Sequence, residues 1–245
     1  MRFNIYKEAR FSLIVLSIII LLTLLFYFLA SMFTSMGYDA FRANSIKSNV
    51  QEKRQITVIL DAGHGGEDPG AVANGLIEKK LNLEIVNLIN EILLINNYTT
   101  HLTRNDDTLL YKSGEEDRKK FYDIRNREEI ANSIEDSIFV SIHMNKFSAE
   151  YCKGLQVFYN KTNTEGRLLA ESIQCHTKLL QADNKRIASE KSDSIYLIQS
   201  LKMPAALIEC GFISNAYESA LLKDARYKIA LAMSIYYGIA NYMEN

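Results

Sequence analysis

Hydrophobic and polar positions along this chain change their spacing several times, and each change marks an element. From Phe11 to Ala30 the chain reads FSLIVLSIIILLTLLFYFLA, about twenty residues without a charge. A helix needs that length to cross a bilayer core at ~1.5 Å rise per residue. A buried core helix would keep a polar face, which this run lacks. Arg2, Lys7 and Arg10 precede it against a single acid, Glu8. The positive-inside rule then leaves residues 1–10 in the cytoplasm, sets a single-pass anchor over residues 11–33 and exports the remainder of the chain. A cleavable signal segment, giving a secreted product, is the alternative. Its apolar core is usually shorter, and no small-x-small cleavage site follows Ala30. Residues 34–55, with Ser, Asn and mixed charges but no periodicity, read as a linker.

Past the linker the pattern alternates between strands and helices. Ile56–Leu60 (ITVIL) is a β-branched run ended by the Gly-rich DAGHGG, a buried strand feeding a loop. Leu81, Ile85, Leu88, Ile92 and Ile95 recur at four- and three-residue steps, one helical stripe. Tyr98–Leu102, Ser137–Ile142 and Gly154–Tyr159 read as strands, and Arg118–Ser133 and Glu165–Leu180 as helices. Ser194–Ile198 reads as another strand and Ala205–Ile208, after Pro204, as the last. Helical stretches over roughly Ala216–Leu222 and Asp224–Tyr242 complete the chain. This order predicts one α/β domain over residues 56–245. Its twisted, mainly parallel central sheet would be flanked by helices on both faces. Functional loops in such sheets gather at strand C-terminal ends, where His64, His143 and Glu209 fall.

Composition narrows the chemistry. Lys and Arg number 28 against 29 Asp and Glu, so no field of one sign invites a nucleic acid. Three cysteines, Cys152, Cys175 and Cys210, without paired spacing exclude a disulfide scaffold and a Cys-rich metal site. A metal would have to be held by His and carboxylate. Taken singly, the candidates have ordinary readings: His64 as a turn residue among glycines, His143 as a core histidine, Glu78 as a helix-start acid favoured by the dipole. Their convergence at one sheet edge is less ordinary, and matches a site with three N/O ligands and an open position. Glu209 interrupts the buried run AALIECG. It reads either as a salt-bridged acid or as a general base beside a cation. The glycine loop lacks the endings of phosphate and dinucleotide cradles. His101, in a strand, and His176, in a helix, read as structural or surface residues. The stretch Tyr111–Asp123 reads as a solvated helical face, with a partner surface as the alternative.

ILDAGHGGEDPGA, GLIEKKLNLEI, LTRNDD, RNREEIANSIEDSIFVSIHMN and PAALIECGFISN, in that order across Ile56–Tyr242, resemble the zinc-dependent N-acetylmuramoyl-L-alanine amidases of bacteria, the amidase family 3 catalytic domain. The resemblance implies a peptidoglycan hydrolase with one Zn2+ on His64, Glu78 and His143, and Glu209 as catalytic acid/base. Arg104, Arg127, Asn132 and Asn145 also fall on family motif positions. Arg104 and Asn145 are expected to bind substrate, and Arg127 and Asn132 to be structural. The layout is similar to that of the short, membrane-anchored members linked to spore cortex, which implies a sporulation role. SIHMN runs straight on to GLQVFY, leaving no room for an autoinhibitory helix, so control by a separate protein partner is expected. Two alternatives stay open on sequence alone: a zinc peptidase cutting within the stem peptide, and a non-catalytic wall-binding domain.

Overall fold

A computed structural model describes residues 21–28, 31, 56–190 and 196–244. The expected anchor over 11–33 lies largely outside these residues, and the linker over 34–55 wholly so. Of the anchor, Leu21–Phe28 is helical, and no described helix is long and apolar enough to cross a membrane. The chain divides into two units, Met1–Lys53 and Arg54–Asn245. The second unit carries the sheet.

That sheet is built from β1 (Thr57–Ala62), β4 (Thr99–Leu102), β5 (Ser137–Asn145), β6 (Gln156–Tyr159), β7 (Ser189–Glu190) and β8 (Ala205–Phe212), in the order β4-β1-β5-β8-β6-β7. β4, β1, β5 and β8 are mutually parallel, while β6 pairs antiparallel with β8 and parallel with β7. Side chains alternate between faces. Val58, Leu60, Ile138, Val140, Ile142, Ala206 and Ile208 enter the larger core. Its main cover is α1 (Glu78–Ile95), α3 (Thr164–Thr177) and α6 (Ala225–Glu244), with Leu222 added from the short helix before α6. Ile59, Phe139, Ala205 and Leu207 enter a smaller core on the opposite face, under α2 (Lys119–Asn132) and α4 (Tyr196–Ser200). A further helix, α5 (Ala216–Lys223), joins β8 to α6.

Two details differ from the sequence expectation. The expected strand Ser194–Ile198 is helical where it is described, since Tyr196–Ser200 form α4. Leu197, Ile198 and Leu201 are buried in the smaller core, at the i, i+1, i+4 spacing of a helix face. In α1 the buried stripe is Leu81, Ile85, Val86, Ile89 and Leu93, whereas Ile95 is 80% exposed. A stripe stepped by threes and fours fits several neighbouring faces in so apolar a helix, and contact with the sheet selects one.

A small ribbon positions the start of α1. β2 (Val72–Ala73) and β3 (Leu76–Ile77) pair antiparallel around Asn74 and Gly75, both with positive φ. Asn-Gly is the dipeptide such a two-residue turn favours. The Asn74 side chain donates to the Ile213 carbonyl at 2.9 Å, which ties the ribbon to the end of β8.

Candidate metal centre and active-site cleft

At the C-terminal ends of β1 and β5, three side chains from three elements meet. His64 follows β1, Glu78 opens α1 and His143 lies near the end of β5. His64 Nε2 is 3.2 Å and His143 Nδ1 3.0 Å from the same Glu78 Oε1. One donor atom from each residue falls within 4.8 Å of the others. Two backbone amides hold the carboxylate: Ala71 N donates to Oε2 at 2.7 Å and Met144 N to Oε1 at 3.0 Å. Asp68 Oδ2 accepts from His64 Nδ1 at 2.8 Å, fixing the ring so that Nε2 faces the cluster.

Glycine makes this convergence sterically possible. A Cβ on Gly63 would sit 2.2 Å from His143 Cε1, and one on Gly70 2.6 Å from Glu78 Oε2. His64 itself takes φ 62°, a left-handed conformation that costs a side chain energy and is held by the turn around it. Gly65 and Asp68 exchange two backbone hydrogen bonds across that turn.

Charge in the centre is tightly balanced. Burial opposes protonation of His64, yet the carboxylates of Glu78 and Asp68 outweigh it and raise its pKa to about 9. Burial likewise opposes ionisation of Glu78, but hydrogen bonds from His143 and His64 hold it far below the usual carboxylate range. Two imidazoles and a carboxylate, each offering one atom to the same point, form a donor set that fits a divalent ion of borderline softness.

The fourth candidate stands next to the cluster. Glu209, on β8, is in register with His143 on β5. Both line a cleft of about 480 Å³ with His64, Asp68, Tyr196 and Leu207. Glu209 and Leu207 share the strand face that carries the smaller core, so the cleft opens where that core ends.

Beneath the cleft lies a network built on Arg127, which the family motifs imply to be structural, and on Asp61, which sequence reasoning missed. Asp61 is fully buried. It accepts from Arg127 Nη1, Thr103 Oγ1 and Ser141 Oγ, each at 2.6 Å. Burial raises its pKa, but Arg127 and the two hydroxyls more than offset this and lower it to about 2. Arg127 also pairs with Asp123 at 2.9 Å and donates to the carbonyls of Ala62 and His64. Asp61 has the same signature as Glu209, an acid ending an apolar strand, and could have been found by it. Asp68 required the fold, as did the partners of Arg127.

The remaining expected residues sit elsewhere. Arg104 is buried and donates to the carbonyls of Ala62, Gly63, Lys79 and Asp106. It therefore clamps the glycine loop through its backbone carbonyls. Asn145 lies past a register shift in β5, with its carbonyl accepting from Ile213 N. Asn132 bridges α2 to the segment before β8, through the Ser200 carbonyl and Lys202 N. His101 is exposed on β4, and His176 bonds within its own helix to the Ser172 carbonyl.

An α/β sheet whose strand ends bring His–Glu–His and a neighbouring carboxylate to one open cleft defines a hydrolase with a centre able to hold a metal ion. Residues 58–241 match the N-acetylmuramoyl-L-alanine amidase family, and the chain belongs to that family. It is 35% identical over 187 residues to the germination-specific N-acetylmuramoyl-L-alanine amidase of Bacillus subtilis, covering 76% of this chain and 78% of the relative. Its fold is similar to that of the CwlD amidase of Clostridioides difficile, solved in complex with the GerS lipoprotein. The TM-score is 0.74 at 38% identity, covering 77% of this chain and 98% of that one. The catalytic domain of CwlV from Bacillus (Paenibacillus) polymyxa is similar at TM-score 0.67 and 28% identity, over 77% and 98% of the two chains. The enzyme is thus a peptidoglycan hydrolase that cleaves the amide between N-acetylmuramic acid and L-alanine, and the peptidase and wall-binding alternatives give way.

Proposed function

We propose that this amidase is zinc-dependent, with His64, Glu78 and His143 as ligands and Glu209 as the catalytic acid/base. One observation carries the reading: two imidazole nitrogens converge on one carboxylate oxygen, one strand pairing away from a second carboxylate in the same cleft. Zinc, when bound, supplies positive charge that polarises the scissile carbonyl and makes water acidic enough to react near neutral pH. Glu209 takes the proton of the attacking water. It then delivers that proton to the alanine nitrogen as the amide bond breaks, so the peptide leaves as a neutral amine. Asp68 keeps His64 oriented, and Arg104 and Arg127 hold the loop carbonyls behind it.

The same reading covers the rest of the chain. Residues 11–33 anchor it in the membrane, residues 34–55 link, and residues 56–245 form the catalytic domain on the extracytoplasmic side. The likeness to a germination-specific amidase supports work on spore cortex. The C. difficile relative was solved with a lipoprotein, which supports a protein partner here as well.

Glu209→Gln tests the assignment. Loss of the acid/base should lower turnover of muropeptides by about 10²–10⁴-fold, read by mass spectrometry as missing peptides with free L-alanine amines. Zinc content should stay near one per chain. A variant that retained wild-type turnover would remove Glu209 from the chemistry.

A further inference from the structure

A second cavity lies outside the catalytic cleft. It is a groove of about 620 Å³, lined by Lys153, Lys185, Arg186, Tyr217 and Glu218 among others. Arg186 connects its rim to the strand beside Glu209 through Gln156. β6 runs antiparallel to β8 with Gln156 opposite Glu209, so the two side chains share a face with Cα atoms ~5 Å apart. His143 stands opposite Glu209 on the other flank. Gln156 is therefore the neighbour of Glu209 on the side away from the candidate metal centre.

Arg186 reaches Gln156 from the segment between α3 and β7. Its Nη1 donates to Gln156 Oε1 at 2.7 Å and its Nε to the Lys153 carbonyl at 2.9 Å. The guanidinium lies 4.9 Å from the centre of the Phe212 ring. Gln156 Nε2 in turn donates to the Ile187 carbonyl at 3.2 Å, which holds the amide in place. Both hydrogen-bond acceptors of Arg186 are neutral, and Glu218 is the acid that feels its charge without a hydrogen bond to it. The hydrogen bonds of the nearby acids go to other groups. Asp183 pairs with Lys153 at 2.6 Å, and the two oxygens of Glu218 accept from the backbone amides of Gly154 and Phe212. A guanidinium fixed on one side with donors left on the other is suited to bind a carboxylate in forked fashion.

We infer that Arg186, steadied by Gln156 and Phe212, is a specificity residue that binds a free carboxylate of the substrate's stem peptide. The inference deepens the proposed function and rests on it. The glycan cannot supply this carboxylate, because the acid of the muramic lactyl group is consumed in the scissile amide. L-alanine cannot either, since its own carboxyl continues the peptide. Free carboxylates begin with the second stem residue. At ~3.3–3.6 Å per extended residue, the second and third residues lie about 4–10 Å from the scissile nitrogen. Arg186, one side chain beyond Gln156, lies on the order of 10 Å from Glu209. The spans agree.

The test uses the full-length protein supplied with zinc and two muropeptides that differ only in whether the stem carboxylates are free or amidated. Wild type should show the lower KM on the free acid. Arg186→Gln should raise that KM about tenfold, the loss of a charge-assisted hydrogen bond, with kcat held and the KM for the amidated substrate unchanged. Arg186→Lys, a point charge without the fork, should fall between them. Equal KM rises on both substrates would mark Arg186 as a strap for its loop and overturn the proposal, as would no change on either. Should Arg186→Gln fail to fold, the wild-type preference decides: equal KM values for the two substrates overturn it. A wild type that cleaved neither would overturn the amidase reading beneath it.

Discussion

Asp61 shows how much of this site is held from below. A fully buried carboxylate is tolerated because one guanidinium and two hydroxyls satisfy it, and the same Arg127 reaches up to the carbonyl of His64. Removing one partner leaves charge buried without compensation. Arg127→Ala should therefore destabilise the domain by about 3–5 kcal/mol, seen as a lower urea midpoint. The pH dependence has a definite sign. The folded-state pKa of Asp61 is lowered from 3.8 to about 2. Its contribution is thus fully present above the unfolded value near 4 and is lost as pH falls through about 2. Asp61→Asn should flatten that part of the acid stability curve, and an unchanged acid slope would refute the assignment. The acid itself is legible in ILDAGHGG by the argument that singles out Glu209. Its partners are not, since Thr103, Arg127 and Ser141 lie far from it in sequence and meet it only when β4, α2 and β5 assemble. Glu78 is similar: motif position marks it, but only the ribbon around Asn74 and Gly75 explains how it reaches two histidines.

Among elements, α3 packs closely against α6 over the larger core. Gly238 in α6 lets the helices approach, since a Cβ there would sit 2.5 Å from Ile173 Cα in α3. Two effects compete in Gly238→Ala. Helix propensity favours alanine by ~1 kcal/mol, whereas overpacking against backbone costs about 1–3 kcal/mol. Backbone atoms cannot rotate away as a side-chain tip can, so the clash should win. The melting temperature should fall, while specific activity measured well below it stays at the wild-type level, because α3 and α6 contribute nothing to the cleft lining. A higher melting temperature would show that the helices yield freely. Periodicity finds all three of these covering helices. It fails where it is degenerate, in the drifted stripe of α1, and where a segment is short, at α4. There β-like and helical spacings cannot be told apart in a few residues. The Asn74-Gly75 turn was open to a turn argument and ends a ribbon too brief to show alternation.

Among the described residues, the buried side chains of both hydrophobic cores fall between Val58 and Ile239. On the proposed topology the N-terminal residues serve to place that unit rather than to stabilise it. Even fully extended, residues 34–55 would reach no more than roughly 75 Å. Such a tether would confine the cleft to the wall layer nearest the membrane and raise its effective concentration there. A chain starting at Arg54 should therefore keep the melting temperature, zinc content and muropeptide turnover of the full-length protein. In cells, exported by an unrelated cleavable signal, it should leave the membrane fraction for the soluble one and process cortex less completely. A truncated chain that failed to bind zinc would show that the N-terminal residues take part in the fold. Undiminished cortex processing by the released domain would show that tethering sets the protein's address without setting its activity.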